Sequence, residues 1–271
     1  MFLNTLKLEY KFNPALILCR IFLNKILSGL YTLILLAFLS GCSTGSEVSN
    51  GSAGKQTAAN FETTVTINVT SQYLIYLPDD YYKSGKKWPL VMFLHGSGER
   101  GTDIKLVKKN GPPKLISEGK KFPFILLSPQ CPLGQRWDVL SLSALLDEIE
   151  KDYIVDKTRI YVTGLSMGGE GTWKMIMAQP ERFAAAAPVC GRTGSSYLDA
   201  CILNNLPIWV FHGAMDDVVS IDESERMVKA LKKCGNDVKF TVYPEGNHDV
   251  WTETYTNPEL YEWLLTFKNE Y

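Results

Sequence analysis

The stretch Arg159-Ile-Tyr-Val-Thr-Gly-Leu-Ser-Met-Gly-Gly169 determines how the rest of this chain is arranged. Its first half is apolar and β-branched, which is typical of a buried strand, and residues 171–178 form a helical pattern that stops at a proline. A serine between two glycines is on its own more often a plain turn, but the strand before it and the helix after it strengthen the pattern. It predicts a sharp turn that holds Ser166 in a strained conformation with its hydroxyl exposed. Gly164 and Gly168 lack the Cβ that would clash in such a turn.

Composition and charge restrict the possible function classes. The chain has 271 residues, of which 45% are hydrophobic and 21% are charged, as in an ordinary globular domain with a large core. The net charge is -1, and the sequence contains no long basic or acidic run. Nucleic acid is therefore not an expected partner, and we expect the ligand to bind in a pocket.

The N-terminal segment has the pattern of an export signal. Basic residues precede the apolar run 30–39, which at about ten residues is too short to span a bilayer comfortably. The following Leu39-Ser-Gly-Cys42 resembles the bacterial lipoprotein box, in which the cysteine is acylated and becomes the new N-terminus. We therefore expect residues 1–41 to be a lipoprotein signal peptide and Cys42 to be lipidated. The alternative is a membrane-spanning anchor that begins around Ile26.

Residues 42–60 differ in composition from the rest of the chain. They consist mainly of Ser, Gly, Thr, Asn and Ala, and such a segment cannot bury enough apolar surface to fold. We expect a flexible linker that tethers a folded domain, residues 61–271, to the lipid anchor. The expected location is the bacterial cell envelope, where acyl chains contribute about 0.8 kcal/mol per buried methylene to membrane attachment.

Strand and helix patterns alternate through the folded domain. Residues 63–69 and 73–77 predict an antiparallel hairpin at its start. Apolar runs predict further strands at 89–94, 124–128, 160–163, 183–189, 208–211 and 238–242, and amphipathic patterns predict helices at 112–119, 140–153, 220–234 and 258–267. This alternation predicts an α/β fold with a doubly wound, mostly parallel sheet.

The chain contains six cysteines, of which Cys19 falls in the signal peptide and Cys42 is assigned to the lipid. An exported location permits disulfides. Cys190 and Cys201 are close in sequence and are expected in one loop region, so they are the candidate pair. The other two cysteines, Cys131 and Cys234, are expected as buried thiols. No Cys-x-x-Cys motif or histidine cluster is present, so we expect no metal site and no cofactor.

A serine nucleophile needs a base that takes its proton and a carboxylate that orients the base. Only three histidines are available, and His95 and His212 each precede a glycine at a predicted strand end. His248 lies in a loop after the last predicted strand and is the candidate base, although it could also be a plain surface-loop residue. The candidate acids are Asp216 and Asp217, in the loop after the strand 208–211, and this pattern alone does not separate them.

Hydrolysis through a serine also requires hydrogen-bond donors for the oxyanion of the transition state. These are usually the backbone N–H after the nucleophile and one from the loop after an earlier strand, which are here those of Met167 and Ser97. The glycines beside Ser97 allow close approach of a ligand to the backbone, but a simple glycine turn would look the same. Glu99 and Arg100 are expected to shape this loop and receive no chemical role.

These motifs together resemble the α/β-hydrolase superfamily over residues 63–271. In hydrolases with His-Gly-x-x-Asp-x-x-Val the acid is the first aspartate of the motif, which implies Asp216 here, with Asp217 bracing the turn. The sequences 93–101, 128–132 and 164–173 are more narrowly similar to bacterial esterases allied to polyhydroxybutyrate depolymerases and to feruloyl or acetylxylan esterases. Similar signatures occur in peptidases of the prolyl-oligopeptidase type.

The resemblance implies a serine hydrolase that cleaves carboxylic esters, including acyl or feruloyl esters on polysaccharide, through an acyl-enzyme. The alternatives are a peptidase or thioesterase with the same residues, or a binding protein that keeps the fold without catalysis. Trp137 and Trp251 are expected either to line an aromatic or sugar-acyl pocket or to belong to the core. The expected partners are a small-molecule or polysaccharide-linked ester and, through Cys42, the membrane.

Overall fold

The computed structural model describes residues 6–10, 61–63 and 65–269. The linker 42–60, Cys42 and all of the predicted signal peptide except residues 6–10 lie outside these ranges. Within the described part of the chain, no helix is long and apolar enough to cross a bilayer.

A two-stranded sheet forms a small unit of its own, Leu6–Asn68. It pairs β1 (Leu6–Tyr10) with β2 (Val65–Val69). The hairpin predicted at the start of the domain is therefore wrong. The strand expected as the partner of β2 is β3 (Tyr73–Tyr76), which instead pairs antiparallel with β5 (Ile125–Pro129), a strand of the main sheet.

The main sheet has seven strands in the order β3-β5-β4-β6-β7-β8-β9. Only the edge strand β3 is antiparallel to its neighbour. The strands not yet given are β4 (Trp88–Leu94), β6 (Val155–Leu165), β7 (Ala185–Val189), β8 (Trp209–Gly213) and β9 (Lys239–Tyr243). Strands β4, β5, β7 and β8 are buried along their whole length, as expected for apolar runs in a parallel sheet covered on both faces. The predicted doubly wound α/β architecture is confirmed.

Six helices cover the two faces of this sheet in the described part of the chain. They are α1 (Gly111–Ser117), α2 (Val139–Asp152), α3 (Met167–Ala178), α4 (Asp222–Lys233), α5 (Trp251–Thr256) and α6 (Pro258–Thr266). Because side chains of a strand alternate between faces, Leu90 and Met92 of β4 pack in a cluster with residues of α2, α3 and α4. Val91 and Phe93 pack in a second cluster with residues of α1, α5 and α6.

The carboxyl ends of the parallel strands meet at one edge of the sheet, where ligands of open α/β sheets usually bind. The loop after β4 carries Ser97, the turn after β6 carries Ser166, and the loops after β8 and β9 carry Asp216 and His248. The fold therefore brings the site residues predicted from sequence to the same edge.

The cysteine pairing differs from the prediction. Cys201 forms a disulfide with Cys234, which joins a 3-10 helix (Ser196–Leu203) to the end of α4. Cys190 is a free, buried thiol, as is Cys131. The predicted Cys190–Cys201 pair is wrong because the Cys190 side chain points beneath the His248 loop, with its Sγ 3.5 Å from the His248 carbonyl oxygen.

Candidate active site

The turn between β6 and α3 places Ser166 in a conformation that few residues other than glycine adopt. Its φ is 52° and its ψ is -113°, so the backbone is strained at this one residue. The turn is also sterically closed. A Cβ on Gly168 would overlap the carbonyl oxygen of Leu94, and a Cβ on Gly164 would overlap the backbone of Gly168. Only glycine fits at these two positions.

Three side chains form a continuous chain of hydrogen bonds. His248 Nε2 lies 2.8 Å from Ser166 Oγ, and His248 Nδ1 lies 2.7 Å from Asp216 Oδ2. The carboxylate of Asp216 can only accept, so Nδ1 carries the proton and Nε2 is free to accept the serine proton. The imidazole side chain is 16% exposed, while the Asp216 side chain is fully buried. The candidate base His248 therefore contacts Ser166, and the candidate acid Asp216 contacts the other side of the imidazole.

Asp216 is held as a carboxylate. Its Oδ1 accepts hydrogen bonds from the backbone N–H groups of Val218 (2.9 Å) and Val219 (2.8 Å). Burial alone would raise the pKa of Asp216, but the hydrogen bonds from His248 and from these two amides outweigh it, and the pKa is lowered. Asp217 is exposed to solvent. The structure thus distinguishes the two aspartates that the loop sequence offers.

His212 has a supporting place beneath the acid loop that the sequence did not reveal. Its Nε2 lies 2.8 Å from the Val219 carbonyl oxygen and 3.2 Å from Asp216 Oδ2, and its Nδ1 lies 2.7 Å from Ser224 Oγ. Nε2 therefore donates to Val219, and Nδ1 accepts from the serine hydroxyl. Burial lowers the pKa of His212, so the ring stays neutral and braces the loop without adding a charge beside Asp216.

The acid loop and the histidine loop also touch through their backbones. The N–H of Met215 donates to the Gly246 carbonyl at 2.8 Å, and the N–H of Ala214 donates to the Tyr243 carbonyl at 2.9 Å. A Cβ on Gly213 would overlap the carbonyl oxygens of Gly246 and its neighbour. This close contact fixes the spacing between Asp216 and His248.

The two candidate oxyanion donors lie at the start of neighbouring turns. Strands β4 and β6 pair with Leu94 opposite Gly164, so the loops that follow leave the sheet side by side. Ser97 is the first residue of a 3-10 helix (Ser97–Glu99), and Met167 is the first residue of α3. First-turn N–H groups have no acceptor within their own helix, so both remain available to a ligand.

Comparisons with known proteins agree with this architecture. Residues 135–257 match the dienelactone hydrolase family. The crystal structure of a thermostable esterase superposes with a TM-score of 0.63 and is 37% identical in sequence, covering 74% of this chain and 60% of that one. The chain has the α/β-hydrolase fold.

Two curated relatives of this chain carry names that specify a substrate. A bifunctional acetylxylan esterase/xylanase of Neocallimastix patriciarum is 27% identical over 150 residues, which is 52% of this chain and 21% of the relative. A probable feruloyl esterase C of Aspergillus terreus is 25% identical over 159 residues, 56% of this chain and 57% of the relative. The chain thus spans between about a fifth and just over half of the length of these relatives.

The two tryptophans expected either at a pocket or in the core have different surroundings. Trp137 is buried, and its Nε1 donates to the His95 carbonyl at 3.0 Å, so it belongs to the packing beneath the Ser97 loop. Trp251 is half-buried and meets the His248 ring edge to face, with ring centres 5.2 Å apart. Of these two tryptophans, Trp251 is the one that contacts a residue of the hydrogen-bonded set Ser166, His248 and Asp216.

Cys190, Asp216 and His248 have potential metal-binding atoms within 4.8 Å of one another, a cluster found in the described part of the chain. His248 and Asp216 are already hydrogen-bonded to each other. Burial raises the pKa of Cys190 well above its usual range, so the thiol keeps its proton. The donor set therefore fits proton transfer between serine and histidine better than it fits a metal ion.

Proposed function

We propose that this chain is a serine hydrolase that cleaves carboxylic esters. The observation that carries the proposal is the hydrogen-bonded chain from Ser166 Oγ through His248 to Asp216, with the serine on a strained turn. The match of residues 135–257 to the dienelactone hydrolase family and the similarity to a thermostable esterase support it.

In this mechanism Ser166 Oγ attacks the ester carbonyl while His248 Nε2 takes its proton. Asp216 holds the imidazole in the required tautomer and stabilises the imidazolium. The N–H groups of Ser97 and Met167 donate to the oxyanion of the tetrahedral intermediate. His248 then gives the proton to the leaving alcohol, which departs and leaves the acyl group on Ser166. In the second half of the reaction His248 takes a proton from water, the water attacks the acyl carbonyl, and His248 gives the proton to Ser166 Oγ as the acid is released.

The proposed substrates are acyl or feruloyl esters, free or linked to polysaccharide. The support is the naming of two relatives as acetylxylan and feruloyl esterases. The same residues could cleave a peptide or a thioester, and one relative is a dipeptidyl peptidase family member of Caenorhabditis elegans, 22% identical over 218 residues. Rates on aryl acetate, methyl ferulate, acetylated xylan, peptide anilide and thioester substrates, compared at equal enzyme concentration, identify the preferred class.

The nucleophile is tested by labelling with a fluorophosphonate probe. The wild-type protein should be labelled at Ser166 in a peptide map, and Ser166→Ala should abolish labelling and lower kcat on an aryl acetate by on the order of 10⁴-fold or more. Ser195→Ala, at an exposed serine, is the matched control and should behave as wild type. An unlabelled wild-type protein, or an active Ser166→Ala variant, would contradict the proposal.

We further propose that the enzyme is exported and anchored through lipid on Cys42, with residues 1–41 removed as a signal peptide and 42–60 acting as the linker. The Cys201–Cys234 disulfide supports an oxidising compartment. Mass spectrometry of the N-terminal peptide tests the anchor. We expect an acylated Cys42 as first residue, and Cys42→Ser should give either unprocessed precursor or soluble, active enzyme. An unmodified chain that continues upstream of Leu39 would refute the lipoprotein assignment.

A further inference from the structure

The loop that carries the Ser97 N–H consists largely of residues with little conformational preference. Gly96 and Gly98 flank Ser97, and glycine loses more freedom on folding than any other residue. An oxyanion donor is effective only when it is fixed in place before the charge develops. Such a loop therefore needs anchors outside its own backbone.

Glu99 provides an anchor of an unusual kind, because it ends the short 3-10 helix at the surface and yet is only 5% exposed. Its Oε1 accepts a hydrogen bond from Asn110 Nδ2 at 2.7 Å. Its Oε2 is buried and has no hydrogen-bond partner among the described residues, and it lies 3.9 Å from His95 Nδ1. Burying a carboxyl group with half of its acceptors unused is costly. A glutamate with no role in a surface turn would extend into solvent.

Two further side chains hold the backbone of this turn, one from strand-end residue Gln130 outside the loop and one from Arg100 within it. Gln130 Nε2 donates to the Glu99 carbonyl at 3.1 Å, and Arg100 Nε donates to the Ser97 carbonyl at 3.0 Å. A Cβ on Gly96 would lie 2.7 Å from Leu165 Cδ1, so the start of the loop packs closely against the residue before the nucleophile turn. The Glu99 side chain links this turn to Asn110, the residue directly before α1.

We propose that Glu99 is a positioning residue for the reaction, and that its buried carboxyl group holds the Ser97 N–H where the oxyanion forms. The proposal rests on the proposed ester hydrolysis. Glu99 lies two residues after Ser97 in the same helical turn, so a shift of its backbone moves the Ser97 amide with it. Displacing a catalytic group by about 1 Å can lower a rate by on the order of 10²-fold.

The test is a double-mutant cycle between Glu99 and the amide through which it acts. Ser97→Pro removes that N–H and keeps the chain path, because Pro is tolerated at the first position of a helix. The preceding Gly96 has φ -78° and ψ -176°, the extended conformation that Pro requires of its neighbour. Glu99→Ala removes the anchor. The four proteins are compared by kcat and KM on an aryl acetate and by Ki for an arylboronic acid, whose tetrahedral serine adduct places an oxygen at the oxyanion position.

We expect Ser97→Pro to lower kcat by on the order of 10²-fold and Glu99→Ala by on the order of 10-fold or more, with KM changed by less than about 3-fold. The boronic acid should bind more weakly by the same factor as kcat/KM falls. In the Ser97→Pro background, Glu99→Ala should change kcat by no more than about 2-fold, because the donor it positions is absent. Equal effects in both backgrounds would overturn the proposal.

Asn110→Ala serves as a second variant if Glu99→Ala does not fold. Asn110 precedes α1 without capping it through its side chain, so its removal deletes only the donor to Glu99. Asn110→Ala should lower kcat in the wild-type background and leave it nearly unchanged in the Ser97→Pro background. An equal fall in kcat in both backgrounds would count against the proposal. Failure of the ester-hydrolase function itself looks different. In that case the wild-type protein would neither hydrolyse esters nor react with fluorophosphonate.

Discussion

The nucleophile turn and the acid loop hold neighbouring groups of the proposed triad by different forces. At the turn, the backbones of Gly164, Gly168 and Leu94 are in contact and leave no space for a side chain. At the acid loop, Asp216 is held by hydrogen bonds from two backbone amides and from His248. Ser166 is therefore placed by excluded volume, and Asp216 is placed by directed hydrogen bonds.

This difference predicts how each region fails. A side chain added at Gly164 or Gly168 must overlap backbone atoms, so its cost appears as lost stability of the fold. An isosteric substitution of Asp216 leaves the packing intact and changes a hydrogen-bond acceptor, so its cost appears in kcat. The following predictions test this contrast.

The largest effect is expected at the acid. Asp216→Asn should lower kcat on an aryl ester by on the order of 10⁴-fold, because an amide at this place no longer selects the tautomer with a free Nε2 on His248. Asp217→Asn is the matched control, since that side chain is exposed, and should retain most of the activity. The two variants should unfold at similar urea concentrations. A more damaging Asp217→Asn would shift the assignment by one residue.

At the nucleophile turn, Gly168→Ala should destabilise the fold by on the order of 3 kcal/mol or more, because the new methyl group overlaps the Leu94 carbonyl and neither backbone can move away. Gly98→Ala is the control, since a Cβ there meets no atom within 4 Å. Urea unfolding followed by tryptophan fluorescence measures both. A Gly168→Ala variant as stable as wild type would show that the turn is looser than its contacts indicate.

Removal of the disulfide tests whether the stability of the fold and the geometry of the acid loop are independent. Removing it by Cys201→Ser with Cys234→Ser should cost about 4 kcal/mol, because the bond closes a loop with a sequence separation of 33 residues. The value of kcat should change little, since the amides that bind Asp216 are those of Val218 and Val219. Cys131→Ser, at a thiol outside the bridge, is the control for loss of a cysteine. A large fall in kcat in the double serine variant at a temperature where it is folded would mean that α4 controls the acid loop.

The smallest effect concerns pH. Burial, opposed in part by a hydrogen bond to the Gly96 carbonyl, lowers the pKa of His95 from 6.5 to about 4. Between these values the unfolded chain binds more protons than the folded one, so stability is present above pH 6.5 and is lost as the pH falls toward 4. For His95 alone the loss is about 2 kcal/mol at pH 5. Urea midpoints of wild type at pH 7.5 and pH 5 should differ, and His95→Asn should reduce that difference. An unchanged pH slope would contradict the shifted pKa.

Much of this arrangement was predictable, because the patterns involved are short and local. The turn at Ser166 follows from a strand, two glycines and a helix, and the resemblance to hydrolases with His-Gly-x-x-Asp-x-x-Val implies Asp216 rather than Asp217. The disulfide was not predictable from spacing, since the partner of Cys201 is 33 residues away and depends on how α4 packs. Helix α5 was missed as well, and so was the buried setting of Glu99, because nothing in a turn sequence shows that a glutamate points inward.

The backbone contact at Gly213 has a consequence for recombination between hydrolases. Asp216 and His248 are 32 residues apart, yet the segment from β8 to the histidine loop closes on itself where Gly213 meets Gly246. A chimera that takes residues 209–250 as one block from a homologous enzyme should inherit a working acid–base pair. A chimera with a crossover between α4 and β9 joins two halves of different origin at this contact, and its acid and base should be misaligned even when both parents are active.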